Sequence, residues 1–144
     1  MSVAAHHVRV TREPLSVERL AAMVGAPAAG AIVTFQGTTR DVDRLEYEAY
    51  REMAEERMSR IVAEAVERHG LEGAAAEHRI GTVPLGEASV LVAVSAAHRG
   101  EAFAGAREII DRIKAEAPIW KKEVEGPDER WVDGKPPPAD DRTG

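Results

Sequence analysis

The sequence of 144 residues contains no cysteine. Without cysteine, a chain has no disulfide framework, no thiolate metal ligands and no thiol nucleophile of its own. Any sulfur chemistry in which this protein takes part must therefore use sulfur that another molecule brings. Because 44% of the residues are hydrophobic, the chain can bury a core without disulfides or metals, and its length predicts a single folded domain.

Positive charge is not in surplus, since 19 Lys and Arg stand against 25 Asp and Glu, for a formal net charge of −6. Nucleic-acid binding requires clustered surplus cations, so we expect no nucleic-acid partner and only a local anion site. Long apolar runs are also missing. The longest, 90–94, is too short to cross a bilayer, and 1–15 lacks the apolar centre of a secretion signal. We expect no membrane partner and a cytoplasmic location.

Three stretches carry apolar residues at helical spacing. The first follows Ser16, which fits an N-cap. The second runs over about 51–69, and Gly70 is a natural end for it. The third is rich in isoleucine and alanine, and Pro118 stops it. The sequence therefore predicts about three helices.

Strand patterns fill the stretches between these helices. The segment 31–35 is predicted to be largely buried, and a turn at 84–87 is predicted to pair the strands on either side of it. Because several links are of hairpin length, the predicted class is α+β with an antiparallel sheet packed with about three helices. Residues 1–132 form the predicted domain and 133–144 a flexible, proline-rich tail. The predicted strands are 6–15, 31–35, 45–50, 75–83, 89–94 and two short ones within 119–132.

His98 and Arg99 lie between a strand and the first turn of a helix. Free backbone N–H groups and the helix dipole favour an anion at such a place, so the pair predicts a phosphate site. Alternatively, the pair only hydrogen-bonds the end of the sheet. Spacing alone leaves both interpretations open.

Three lysines are candidates for chemistry. Lys114 lies at the edge of the apolar stripe of the third helix, while Lys121 and Lys122 follow each other in a strand and so point to opposite faces. If Lys114 and Lys121 share one cleft with Arg40 and Arg99, repulsion would lower a lysine pKa and suit nucleophilic or acid–base catalysis. Alternatively, Lys114 only extends its ammonium into solvent at the end of the helix, and Lys121 and Lys122 belong to an exposed charged strand. The other histidines lack ligand spacing, so we predict no metal and no cofactor.

Four segments together resemble one known family, the large subunits of molybdopterin synthase, often called MoaE. They are 30–40 (GAIVTFQGTTR), 45–58, 78–99 and 113–123 (IKAEAPIWKKE), in the same order and at near-constant spacing across roughly residues 8–132. The resemblance implies an α/β hammerhead fold. It also implies a homodimer that carries one small ubiquitin-like subunit at each end, which makes a heterotetramer.

This resemblance also implies a reaction. In the family, the small subunit carries its Gly-Gly C-terminus as a thiocarboxylate, inserts it into a pocket of the large subunit and donates sulfur to cyclic pyranopterin monophosphate. The product is the dithiolene of molybdopterin, an intermediate of molybdenum cofactor biosynthesis. The expected activity is thus that of a sulfurtransferase, and the absence of cysteine fits this division of labour.

The resemblance further implies site residues. Lys114 and Lys121 match the two lysines implicated in the family's catalysis. The loop 41–44 is several residues shorter than in relatives, which puts in doubt contacts that a longer loop makes. The positions that match substrate-binding positions of the family are Thr38, Thr39, Arg40, His98, Arg99, Lys122 and Glu123.

Two other functions stay open on the residues alone. The first is a non-catalytic dimeric anion-binding or scaffold module that holds a small partner protein's C-terminal tail, and it predicts binding without turnover. The second is a pterin-modifying enzyme that needs no protein donor and turns over with free sulfide.

Overall fold

The computed structural model describes residues 5–138, in which three α-helices accompany two four-stranded sheets. This confirms the predicted α+β class with three helices. No helix in this part of the chain is long and apolar enough to cross a membrane. The helices are α1 (Val17–Val24), α2 (Arg51–His69) and α3 (Arg99–Glu116).

The strand order is β1-β4-β6-β2 in the first sheet and β5-β3-β7-β8 in the second. All pairs are antiparallel except β1 with β4, which is parallel. The connection between β1 and β4 contains α1 and α2, and such a long crossover allows two strands to run in the same direction. The strands are β1 (Ala5–Thr11), β2 (Ala31–Thr38), β3 (Arg44–Ala49), β4 (Gly73–Arg79), β5 (Gly81–Pro84), β6 (Ala88–Ala96), β7 (Ile119–Glu125) and β8 (Asp128–Trp131).

The predicted continuous strand 75–83 is wrong, because it is interrupted at Ile80, directly before Gly81. Gly81 has φ +82°, a conformation that side-chain-bearing residues rarely adopt. Before the break β4 pairs with β6, with His78 opposite Val90, and after it β5 pairs with β3 in the other sheet. This glycine therefore carries the chain from one sheet into the other.

The prediction that 31–35 is largely buried is also wrong for a single chain. Strand β2 lies at the edge of its sheet, and every second residue along it is exposed. Ile32 is 50% exposed. An apolar run cannot distinguish a central strand from an edge strand that has one open face.

The core has two parts, one on each face of the first sheet. Leu91 and Ala93 of β6 face Leu20 of α1, and Val92 faces the cluster that contains Ile109 of α3. Because β6 is covered on both faces, nearly all of its residues are buried. Ser16 caps α1 as predicted, accepting a hydrogen bond from the Arg19 amide, and Gly70 ends α2 with φ 64°.

The predicted tail, 133–144, is described only as far as Pro138, and 139–144 lie outside the described residues. In the described part, a short 3-10 turn spans Val132–Gly134. The Tyr50 hydroxyl donates to the Pro138 carbonyl oxygen at 2.7 Å. The mobility of the tail stays a prediction.

Candidate active site

A cavity of about 540 Å³ lies between the two sheets, beside the end of α3. Pockets of this size accept small molecules of substrate size. The cavity wall includes the side chains of Lys114 and Lys121. The larger apolar members of the wall are Leu45, Val90, Ile110, Ile113, Ile119, Trp120 and Val132.

The end of α3 brings the two lysines together. Pro118 cannot continue the helix, so α3 ends with the Ala117 amide donating to the Ile113 carbonyl, and the chain enters β7 at once. Lys121 then lies opposite Tyr47 of β3, on the sheet face toward the cavity. Two lysines from different elements therefore line one cavity, an arrangement that the residue pattern alone left open.

Burial and neighbouring cations act on Lys121. Burial lowers the pKa of its ammonium, the charge of Lys114 lowers it further, and Arg40 adds a smaller effect in the same direction, while Glu123 and Asp133 oppose the change. The sequence analysis expected repulsion among cations to lower a lysine pKa; here burial is the larger cause, Lys114 and Arg40 are the contributing cations, and Arg99 is not among them. A lowered pKa provides more neutral amine at working pH.

Lys122 points away from this cavity. It lies opposite Glu46 on β3, and its Nζ is 3.1 Å from Glu129 and 5.4 Å from the centre of the Trp131 ring. Strand alternation left the choice between Lys121 and Lys122 open, and the sheet decides it, because Lys121 faces the cavity. The structure does not bring Lys122 to Lys121, and Glu123 is paired with Arg130 at 3.0 Å.

The predicted residues at the end of β2 differ in exposure. Thr38 lines the cavity. Thr39 is 2% exposed, and its hydroxyl donates to the Val83 carbonyl oxygen at 3.1 Å, so this side chain holds the turn. Arg40 is exposed at the following turn, close enough for its charge to act on Lys121.

His98 and Arg99 lie at the start of α3, far from the two lysines. His98 is the N-cap position and its side chain is 81% exposed, with Nδ1 3.5 Å from Glu101. Arg99 is the first residue of the helix and Lys114 lies in its last turn. At about 1.5 Å of rise per residue, the helix separates these two by about 22 Å. One chain therefore does not unite the predicted phosphate site with the lysines.

Three cavity residues were missed by the sequence analysis. His78, one of the histidines without ligand spacing, is 7% exposed and lines the cavity with Tyr47 and Ser89. The Tyr47 hydroxyl donates to Ser89 Oγ at 3.0 Å, and Ser89 Oγ donates to the Gly37 carbonyl oxygen at 3.3 Å. Strand alternation puts Tyr47 on the face of Leu45, but only the register with β6 and β7 brings the others beside it.

Comparison with known proteins points to one family. The family model described as MoaE protein matches residues 10–116. A molybdopterin synthase catalytic subunit from Oryza sativa subsp. indica is 49% identical over 127 residues, which cover 84% of this chain and 66% of the rice protein. The protein of the same name from Pyrococcus abyssi is 42% identical over 85% of this chain and 86% of its own length.

A solved structure agrees with these sequence matches. The crystal structure of molybdopterin synthase from Staphylococcus aureus superposes with a TM-score of 0.81 at 35% identity, covering 85% of this chain and 94% of that one. The family match spans most of the chain, including both strands that carry the cavity residues Tyr47 and His78 as well as Lys114. The chain belongs to the MoaE protein family.

Proposed function

We propose that this protein is the catalytic subunit of a molybdopterin synthase, a sulfurtransferase of molybdenum cofactor biosynthesis. Its substrate is cyclic pyranopterin monophosphate, and its sulfur donor is the thiocarboxylated Gly-Gly C-terminus of a small ubiquitin-like partner. The observation that carries the proposal is the convergence of Lys114 and Lys121 on one cavity in a MoaE chain. The absence of cysteine agrees with a donor on another protein.

The proposed step is redox-neutral. The thiocarboxylate sulfur displaces an oxygen substituent at a side-chain carbon of the pterin, so a C–S bond forms as a C–O bond breaks and the oxygen leaves with the bonding electrons. Water then adds to the acyl carbon, the bond between sulfur and that carbon breaks, and the partner is left with an ordinary carboxylate while the sulfur stays on the pterin as a thiolate. Two sulfurs are needed for a dithiolene, so two donor chains are consumed per product.

The surroundings of the two lysines support different roles for them. Lys121, whose pKa burial and Lys114 lower, is suited to move a proton to or from the reacting atoms. Lys114 is suited to stabilise negative charge on the oxygen of the acyl group as water adds to it. The apolar part of the wall, with Leu45 and Trp120, keeps water out of the cavity. Electrostatic interactions of the two lysines with the reacting atoms are stronger there than in water.

We further propose that a second copy of this chain completes the site. His98 and Arg99 match phosphate-contacting positions, yet the length of α3 keeps them about 22 Å from Lys114 in one chain. The exposed edge strand β2, with Ile32 50% exposed, and Phe103 of α3, 62% exposed, offer apolar surface for a dimer contact. In a two-fold dimer each phosphate site would then serve the lysines of the partner.

The first experiment measures dithiolene formation from cyclic pyranopterin monophosphate and a thiocarboxylated small subunit. Wild type should turn over, and Lys121→Ala should lose at least about 100-fold in kcat, the usual scale of a proton-transfer group. Arg60→Ala is the control, because Arg60 lies on α2 and pairs only with Glu56, at 3.7 Å, in the described structure. Binding of the small subunit without turnover would favour the scaffold alternative, and turnover with free sulfide alone would favour the donor-free enzyme.

The second experiment tests the shared site by mixing inactive subunits. Lys121→Ala and Arg99→Ala proteins are unfolded together, refolded and assayed. If Arg99 serves the opposite subunit, random pairing of a two-site dimer restores about a quarter of wild-type activity. A mixture as inactive as its components would contradict the shared site.

We also propose a cytoplasmic location, which is supported by the biosynthetic role proposed above. Fractionation of cells that express the chain from its own promoter tests it. Recovery in the membrane or the periplasmic fraction would contradict this location.

A further inference from the structure

A buried histidine beside the lysines has no part in the function proposed so far. His78 Nδ1 lies 2.8 Å from the carbonyl oxygen of Arg79. A carbonyl oxygen only accepts hydrogen bonds, so Nδ1 carries the ring proton and donates it. Nε2 is then left with a lone pair, as an acceptor.

The neighbours of the ring leave Nε2 available. The His78 ring meets the Tyr47 ring edge to face, with 4.9 Å between centroids and 71° between planes. The Tyr47 hydroxyl is engaged by Ser89. Within residues 5–138 no group donates to Nε2, although the ring lines the cavity. The acceptor is therefore available to a group inside the cavity.

Two lysines line the same cavity as this acceptor. Burial and then the charges of Lys114 and Lys121 lower the pKa of His78 to about 4, although its bond to Arg79 opposes this, so the ring is neutral at neutral pH. The other charged groups of the cavity wall are Asp133 and Lys135, from the segment after β8. In the described structure no hydrogen bond joins this acceptor to either lysine, but Lys114 and Lys121 line the same cavity, and an ammonium group is the donor that a neutral ring nitrogen accepts from.

Lys114 is the better donor of the two. Its charge acts on His78 more strongly than that of Lys121, and no carboxylate pairs with it in the described part of the chain. A lysine has a flexible four-carbon stem, so an amine without a partner samples many positions. An acceptor fixed by Arg79 and Tyr47 would reduce that freedom.

We propose that His78 is a positioning residue that accepts a hydrogen bond from the Lys114 ammonium at Nε2 and holds this amine toward the reacting atoms. The proposal rests on the proposed function, because it assigns His78 a part in that reaction. Displacing a catalytic group by about 1 Å can cost about 100-fold in rate, so such an anchor matters.

The first test compares variants in the sulfur-transfer assay. His78→Phe keeps a ring beside Tyr47 but lacks the acceptor, and we expect kcat to fall about 10–100-fold with KM within about twofold of wild type. His78→Gln has an amide oxygen that can take the place of Nε2 and should recover most of kcat. A His78→Phe protein with wild-type kcat would overturn the proposal.

A double variant separates positioning from a general loss of structure. If His78 acts through Lys114, His78→Phe should cost no further activity in a Lys114→Ala background. A loss by the same factor in both backgrounds would overturn the proposal.

A third measurement needs no change at His78. The Nε2 nitrogen resonance of His78 should shift in Lys114→Ala and stay in place in Arg60→Ala, and an unmoved resonance in Lys114→Ala would overturn the proposal. This measurement also separates the two hypotheses. A wild type without turnover refutes the proposed function, whereas an active wild type with an unmoved resonance refutes only the role of His78.

Discussion

The buried state of His78 makes a quantitative prediction for stability against pH. Burial, together with the charges of Lys114 and Lys121, lowers its pKa from the ordinary value of 6.5 to about 4. The unfolded chain therefore takes up a proton at a pH where the folded protein does not. Each pKa unit corresponds to about 1.4 kcal/mol. At a pH below both pKa values, the stronger protonation of the unfolded state therefore lowers the free energy of unfolding by about 3 kcal/mol.

The sign follows from the direction of the change. Above about pH 6.5 both states are unprotonated and His78 adds no penalty. As the pH falls from 6.5 toward 4, the unfolded state gains protons and the free energy of unfolding decreases. Between pH 7.5 and 4.5 we expect His78 to account for about 2–3 kcal/mol of the loss.

The assay is urea unfolding at these two pH values and at one protein concentration, so that any association of the chain is the same in every measurement. Other titrating groups also lower the free energy of unfolding as the pH falls. Although burial opposes it, ion pairs lower the pKa values of Glu77 and Glu108, and this loss is common to wild type and variants. His78→Gln should therefore lose about 2–3 kcal/mol less than wild type. His98→Gln, which removes an exposed histidine, is the control. Parallel behaviour of wild type and His78→Gln would refute the reasoning.

Two further predictions concern a buried carboxylate and a close backbone contact. Glu77 is fully buried, 2.6 Å from both His7 and Arg19. Glu77→Gln should therefore lower the free energy of unfolding by about 2–3 kcal/mol, whereas Glu56→Gln, at an exposed position, should change it by less than about 0.5 kcal/mol. A Cβ on Gly73 would lie 2.8 Å from the Val24 carbonyl oxygen, so Gly73→Ala should cost about 2 kcal/mol in urea unfolding. Gly100→Ala, where a Cβ meets open space, should be neutral or stabilising by up to about 1 kcal/mol. Equal effects in either pair would contradict these contacts.

Much of the local structure could be predicted because it depends on neighbours in sequence. The N-cap at Ser16, the end of α2 at Gly70 and the stop at Pro118 all follow from backbone chemistry that acts within a few residues. Where the expectation failed, the cause was not local. Whether 31–35 is central or at an edge depends on which strands lie beside it, and no pattern within the segment contains that information.

Some residues of the candidate site could be selected from the sequence, and others only from the structure. The resemblance to MoaE selected Lys114 and Lys121, and the short link through Pro118 explains why seven residues suffice to bring both to one cavity. The same resemblance also selected Lys122, which the sheet turns to the opposite face. His78 carried no signal of its own, since a lone histidine in a strand is most often structural.

The sequence by itself determined the family, the class of fold and the lack of a sulfur nucleophile, because motifs, periodicity and composition are properties of residues near one another or of the whole count. Only the tertiary structure decided that Lys121 rather than Lys122 faces the cavity, that His78 also lines the cavity, and that His98 lies far from the cavity. Those facts depend on strand register and on the length and direction of α3, which side chains distant in sequence fix by packing together.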